Sequence, residues 1–167
     1  MERSRIQELH YITDMANVGS ILARGNLSRR LAGRTLESHV SVASEDVQAR
    51  RASKRVWVVE SSRALHSYAN LYVHARNAML YTLLKQHRGD LTVLSVHSAV
   101  LDLDGVIVAD RNAASFAQFL PADEGIAALD EDVVLARWWH ESLEARQRRM
   151  AEVLMPDRVP PAFIRGA

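Results

Sequence analysis

The stretch "RRMAEVLMP" (148–156) decides how the rest of the chain is read. Its single carboxylate, Glu152, separates a basic run from a short apolar run that stops at Pro156. Two geometries compete there. If an upstream helix continues, Arg148 and Glu152 form an exposed i,i+4 pair worth a few tenths of a kcal/mol. If the chain turns extended near Met150, Glu152 shares one strand face with Leu154, while Ala151, Val153 and Met155 point the other way. The second geometry aims a lone acid out of one face of a sheet.

Outward from that stretch, 167 residues with 48% hydrophobic and 25% charged residues suit one compact domain with a sizeable core. We expect a single domain over 1–167. No run approaches the roughly 18 apolar residues of a membrane span. The start "MERSRIQELH" is charged and lacks the apolar region of a secretory signal, so a cytoplasmic protein is expected. The chain has no cysteine, which removes disulfides and thiolate metal sites. Net charge is only +1, yet arginines gather in 24–34, 49–55 and 144–150 and acids in 123–132. Three basic clusters brought together make a phosphate-facing surface; left apart, they are solvated faces.

Periodicity predicts strands at "ELHYI" (8–12), "LTVLSVH" (91–97) and "GVIVA" (105–109). Helices are expected over 13–25, with Thr13 or Asp14 as N-cap, Val18, Ile21 and Leu22 on the apolar face and Gly25 as C-cap. Further helices are expected over 44–55 capped by Ser44, over "NAMLYTLLKQH" (77–87), over "NAASFAQFL" (112–120), and as one or two pieces over 130–150. "VWVV" (56–59) reads as a strand or as the apolar end of the segment before it. Without regular strand–helix alternation the class is α+β rather than a doubly wound parallel sheet.

Familiar chemical signatures are absent. None of the seven histidines has zinc-site spacing, so no metal is expected. There is no nucleophile elbow, Walker loop or dinucleotide-binding glycine motif. Two stretches are less generic. "HYITDMANVGSILARG" (10–25) places His10, Tyr11 and Thr13 just before a helix start, where stacking, hydroxyl and backbone N–H groups meet a ligand. The same residues serve equally as cap and core. "LHSYANLYVHARNAMLYTLL" (65–84) is dense in Tyr, His, Arg and Met; Tyr68 and Tyr72 are four apart, on a helix or in an extended segment before Asn77.

Four segments in order resemble the DarT family of bacterial toxins that ADP-ribosylate single-stranded DNA. They are "YITDMANVGSILARGNLS", "VQARR", "LHSYANLYVHARNAMLY", and "VIVADRNAASFAQF" with the later "RWW" and "AEVLMPDRVPPAFI". Together they span nearly the whole chain. The resemblance implies an ADP-ribosyltransferase fold, a split, mainly antiparallel sheet with flanking helices and NAD in the cleft. It implies transfer of ADP-ribose from NAD to a thymine or guanine of single-stranded DNA, with nicotinamide released, and a macrodomain glycohydrolase antitoxin as partner. Transfer to RNA or protein, or non-catalytic binding of single strands, are the alternatives.

Carried over position by position, the resemblance makes Glu152 the catalytic acid of the "Ala-Glu-x-Leu" and Arg51 the arginine that ends the basic segment. It places His10, Tyr11, Thr13, Asn17, Ile21, Arg51, Tyr72 and Met79 at NAD. Arg50, Arg76, Tyr68 and Arg149, with Trp57, are expected at DNA. Two departures stand out. Tyr11 occupies the position where the pattern has His, with His10 one residue earlier, and a one-residue slip turns a side chain to the other face. The family pattern also continues past the catalytic Glu with further strand and helix, whereas this chain ends at "PPAFIRGA", implying a domain that lacks that end.

Overall fold

A computed structural model of the chain describes residues 1–36, 38–58, 61–86, 89–138 and 142–166. Val59, His87 and Trp139, which belong to segments quoted above, lie outside the described residues. In chain order the elements are β1 (Glu8–Asp14), α1 (Val18–Arg24), β2 (Asn26–Leu27), α2 (Arg29–Thr35), α3 (Glu45–Ala52), β3 (Arg55–Val58), β4 (Ser61–Ala64) and β5 (Tyr68–Tyr72). They continue as α4 (Ala78–Lys85), β6 (Leu91–His97), β7 (Ile107–Ala109), β8 (Phe119–Pro121), α5 (Ala122–Ala127) and α6 (Glu131–Val134). The last are α7 (Leu143–Arg148), β9 (Glu152–Pro156), β10 (Arg158–Val159) and β11 (Ile164–Gly166). No helix among the described residues is long and apolar enough to cross a membrane.

The extended reading of 148–156 is the one the fold adopts. Helix α7 stops at Arg148, and Met150 and Ala151 close a turn by donating to the Gln147 and Arg148 carbonyls. The chain then enters β9. Arg148 pairs with Glu144 and Asp130 rather than with Glu152. Strand alternation does the rest. Val153 and Met155 enter the main core with Leu9, Leu71, Val96 and Val108, beneath Ile126 of α5 and Val134 of α6. Leu154 faces the other way, against Val56, Leu65, Tyr68 and Ile107.

Seven strands form an antiparallel sheet in the order β11-β6-β1-β5-β9-β7-β8. β1 and β6 pair from Glu8↔His97 to Asp14↔Leu91, but β1 and β5 share only the pair His10↔Tyr72. Past that pair the two strands part. The sheet is split, and the unpaired edges at Tyr11–Thr13 and Tyr68–Asn70 are free to line a cleft. Gly25, at φ 89°, brings β2 close to β10; a Cβ there would lie 2.1 Å from the Val159 carbonyl oxygen.

Two local expectations are corrected, and one left open is decided. Residues 13 and 14 belong to β1, because Thr13 and Asp14 pair with Thr92 and Leu91; a 3-10 turn (Met15–Asn17) precedes α1. Asp14, not Thr13, caps that turn through Ala16 N–H, and Leu22 is half exposed rather than packed. "NAASFAQFL" is not a helix. Asp110 and Asn112 accept from the N–H groups of Gln118 and Ala114, offering the backbone an alternative to helical bonds, and the segment ends in β8. Residues 68–72 are strand, and an i,i+4 pair such as Tyr68 and Tyr72 shares a face in either structure.

Candidate active site

Glu152 opens β9 in the middle of the sheet, opposite Tyr72 on β5 and Ala109 on β7. Its side chain is 0% exposed. A buried carboxylate is tolerated only when its oxygens are satisfied. Arg51 Nη1 donates to Oε2 at 2.9 Å and to Oε1 at 3.2 Å, and the Ala113 N–H donates to Oε1 at 3.0 Å. Arg51 comes from the last turn of α3, and Ala113 from the loop between β7 and β8. Three separate parts of the chain therefore meet on one carboxylate. Burial is the largest influence on the Arg51 pKa and lowers it, but the charge and hydrogen bond of Glu152, with the Tyr72 and Tyr11 hydroxyls, together outweigh it and hold Arg51 above its ordinary value. Burial and then the Glu152 charge push the Tyr72 hydroxyl up, so it stays a neutral donor, directed at Met79 Sδ at 3.0 Å.

Around this pair the split opens a cleft of roughly 1020 Å³. Glu152, Arg51, Tyr11, Thr13, Asn17, Tyr68, Tyr72 and Met79 all line it. Tyr11, not His10, takes the position on the wall, where burial raises its hydroxyl pKa and Thr13 offers it a hydrogen bond. His10 lies outside the lining and interacts electrostatically with His74. Asn17 donates to Thr13 Oγ1 at 3.1 Å and clasps both backbone groups of Val40, fastening the 38–44 segment over the cleft. Asn77 caps α4 through Met79 and Leu80 N–H groups, which fixes Met79 beside Tyr72.

Other expected residues fall elsewhere. Ile21 is buried outside the cleft lining. Arg149, expected at DNA, is 3% exposed and donates to the backbone carbonyls of Arg76 and Ala136, which holds the turn before β9. Arg76 and Arg50 are exposed, as is Trp57 on the β3–β4 hairpin. Tyr68 is buried under the guanidinium of Arg63, 5.2 Å from its ring centre. Among the described residues no group of three or more His, Asp or Glu is placed to hold a metal.

The sequence reading passed over four contributors. Ala113 acts through its backbone, which leaves no side-chain signal. Gln48, His66 and Asn112 also line the cleft; for Gln48 a signal existed, because it precedes Arg51 by three residues on one helix.

This geometry has close relatives. The family described as "ssDNA thymidine ADP-ribosyltransferase, DarT" matches residues 10–166. A DNA ADP-ribosyl transferase–DNA ADP-ribosyl glycohydrolase fusion protein of Thermosipho africanus is 32% identical over 164 residues, covering 96% of this chain. The chain spans 42% of that protein's length. The structure of Thermosipho africanus DarTG in complex with ADP-ribose superposes with a TM-score of 0.81 at 31% identity, over 95% of this chain and 42% of that one. That of Thermus sp. 2.9 DarT in complex with ADP-ribosylated ssDNA, at 24% identity, shares the fold with a TM-score of 0.83, over 96% of this chain and 79% of that one. The split antiparallel sheet, the acid at its centre and a match over 157 of 167 residues (10 to 166) lead to one assignment: the chain belongs to the DarT family.

Proposed function

We propose that this protein transfers ADP-ribose from NAD to a thymine base of single-stranded DNA, releasing nicotinamide. The observation that carries the proposal is a fully buried carboxylate, Glu152, held by Arg51 at the floor of a cleft whose walls are the edges of a split sheet. Breaking the nicotinamide–ribose bond leaves an oxocarbenium-like carbon, as in glycoside cleavage. A carboxylate in a water-poor site is worth most against such a developing cation, because the surroundings screen it least. Nicotinamide departs neutral, so no acid is required for its exit. Arg51 stays protonated and acts by position and charge, on the carboxylate and on the phosphates of the donor.

In this reading Tyr11, Thr13, Asn17, Tyr72 and Met79 form the wall for the donor. Single strands suit the acceptor role because bases inside a duplex are paired and stacked. A glycohydrolase that removes the modification is the expected partner, since the Thermosipho relative carries that activity in the same polypeptide by name. The test is mass spectrometry of defined DNA and RNA oligonucleotides after incubation with NAD. Thymine-containing DNA should gain one ADP-ribosyl unit with the wild type and none with Glu152→Gln. A gain only on RNA would move the acceptor, and no gain on any strand would overturn the proposal.

A further inference from the structure

One turn of α3 away from the Arg51–Glu152 pair, the cleft is lined by a second polar pair. His66, in the 3-10 turn before β5, bonds through Nε2 to Gln48 Oε1 at 3.1 Å. An amide oxygen only accepts, so Nε2 carries the hydrogen and Nδ1 keeps a bare lone pair. Gln48 retains its two N–H bonds, with no other partner among the described residues. Gln48 and Arg51 are three residues apart on one helix, a spacing that brings Cβ atoms within about 5–6 Å. α3 thus holds two centres side by side. Arg51 reaches the acid, and Gln48 reaches the imidazole.

The charged groups that act on His66 are Arg51 from α3 and Arg29 from α2, both cationic. Burial first, and then these two guanidinium groups, hold the imidazole below its ordinary value, so it is neutral at pH 7.

We propose that His66 is the catalytic proton acceptor for the attacking base, with Gln48 fixing its tautomer. The inference rests on the transferase reading above. The base N3–H gives its proton to His66 Nδ1, and the electron pair left on N3 forms the bond to the ribose carbon. The ribose–nicotinamide bond breaks with its electron pair on nicotinamide, which leaves neutral. The products are the ADP-ribosylated base, nicotinamide and a protonated His66. Thymine N3 and guanine N1 carry the proton that such an acceptor takes, whereas the corresponding ring nitrogens of cytosine and adenine are bare and offer none.

The experiment is a single-turnover pH profile on a thymine oligonucleotide for the wild type and His66→Gln, with thermal melting as a folding control. Wild-type transfer should fall on the acid side with a midpoint below the usual histidine range near ~6.5. His66→Gln should slow transfer by about 100-fold or more and lose that acid limb. A 5-fluorouracil oligonucleotide, whose N3–H is more acidic, should recover a larger share of the rate in the variant than in the wild type. An identical acid limb and identical response to fluorouracil in both proteins would overturn His66 while leaving the transferase intact. If the variant does not fold, a wild-type profile without an acid limb overturns it alone. A wild type that modifies no strand overturns both readings.

Discussion

Strand β9 carries a carboxylate at its first residue and another just past its last, and both collect arginines. Glu152 is fully buried, with Arg51 at 2.9 Å and a backbone N–H. Asp157 is half exposed, with Arg63 at 3.0 Å and Arg30 at 3.2 Å. The pairing chemistry is the same and the surroundings differ. In the sheet interior neither ion can be rehydrated when its partner is lost, so each depends on the other. At the surface, water and salt replace a missing partner. The acid end is therefore suited to act on charge, and the Asp157 end to fasten elements. Asp157 also sits at φ 60°, a conformation an aspartate tolerates better than most residues, and it anchors Ser28 and Ser67 through its backbone.

Breaking the buried end has the largest expected effect. Arg51→Met leaves Glu152 uncompensated and should destabilise the fold by about 3–5 kcal/mol, read by denaturant unfolding, as well as abolishing transfer. Glu152→Gln should abolish transfer while retaining more stability, since the amide keeps an oxygen for Ala113 N–H. Unfolding of both single variants and the double variant should give a coupling energy of about 1 kcal/mol or more. A coupling near zero would mean the two groups do not depend on one another.

At the exposed end the effects shrink. Asp157→Asn keeps the backbone conformation and removes two surface pairs, for a loss of about 1 kcal/mol or less. Raising salt should erase most of that difference and leave the Arg51→Met loss nearly unchanged, which melting at low and high ionic strength reads directly. The smallest effect is with pH. Burial raises the Asp157 carboxyl, but Arg63 and Arg30 outweigh it and hold it below its ordinary 3.8. Its folded pKa is depressed, so its contribution is present above 3.8 and fades as pH falls through the lowered value. Asp157→Asn should therefore lose its difference from the wild type only at the acid extreme, below pH 3.8.

Much of this was legible in the chain. The β-branched alternation of 91–97 gave a strand where a strand occurs, because a period of two has few other stable uses, whereas 148–156 fitted a helix end or a strand until the fold decided it. Asn77 capping 78–85 was legible for the same local reason. Residues 13–14 and 112–120 were misread because long-range pairing with β6 and side-chain bonds to backbone outweighed local helix preference. The resemblance picked out Glu152, Arg51, Thr13, Tyr72 and Met79, all of which line one cleft. It did not distinguish Tyr11 from His10, or free an arginine such as Arg149 from a structural duty, because neighbouring residues of one type look alike until burial sorts them.

By itself the sequence determined the α+β class, the strand-forming runs and a lone acid flanked by small and apolar residues. Only the tertiary structure decided that β1 and β5 part after a single pair, that Arg51 folds back onto Glu152 across 101 positions, and that His66 meets Gln48. The reason is physical: patterning acts within a few residues, whereas a buried charge is stabilised only by partners that chain topology brings to it.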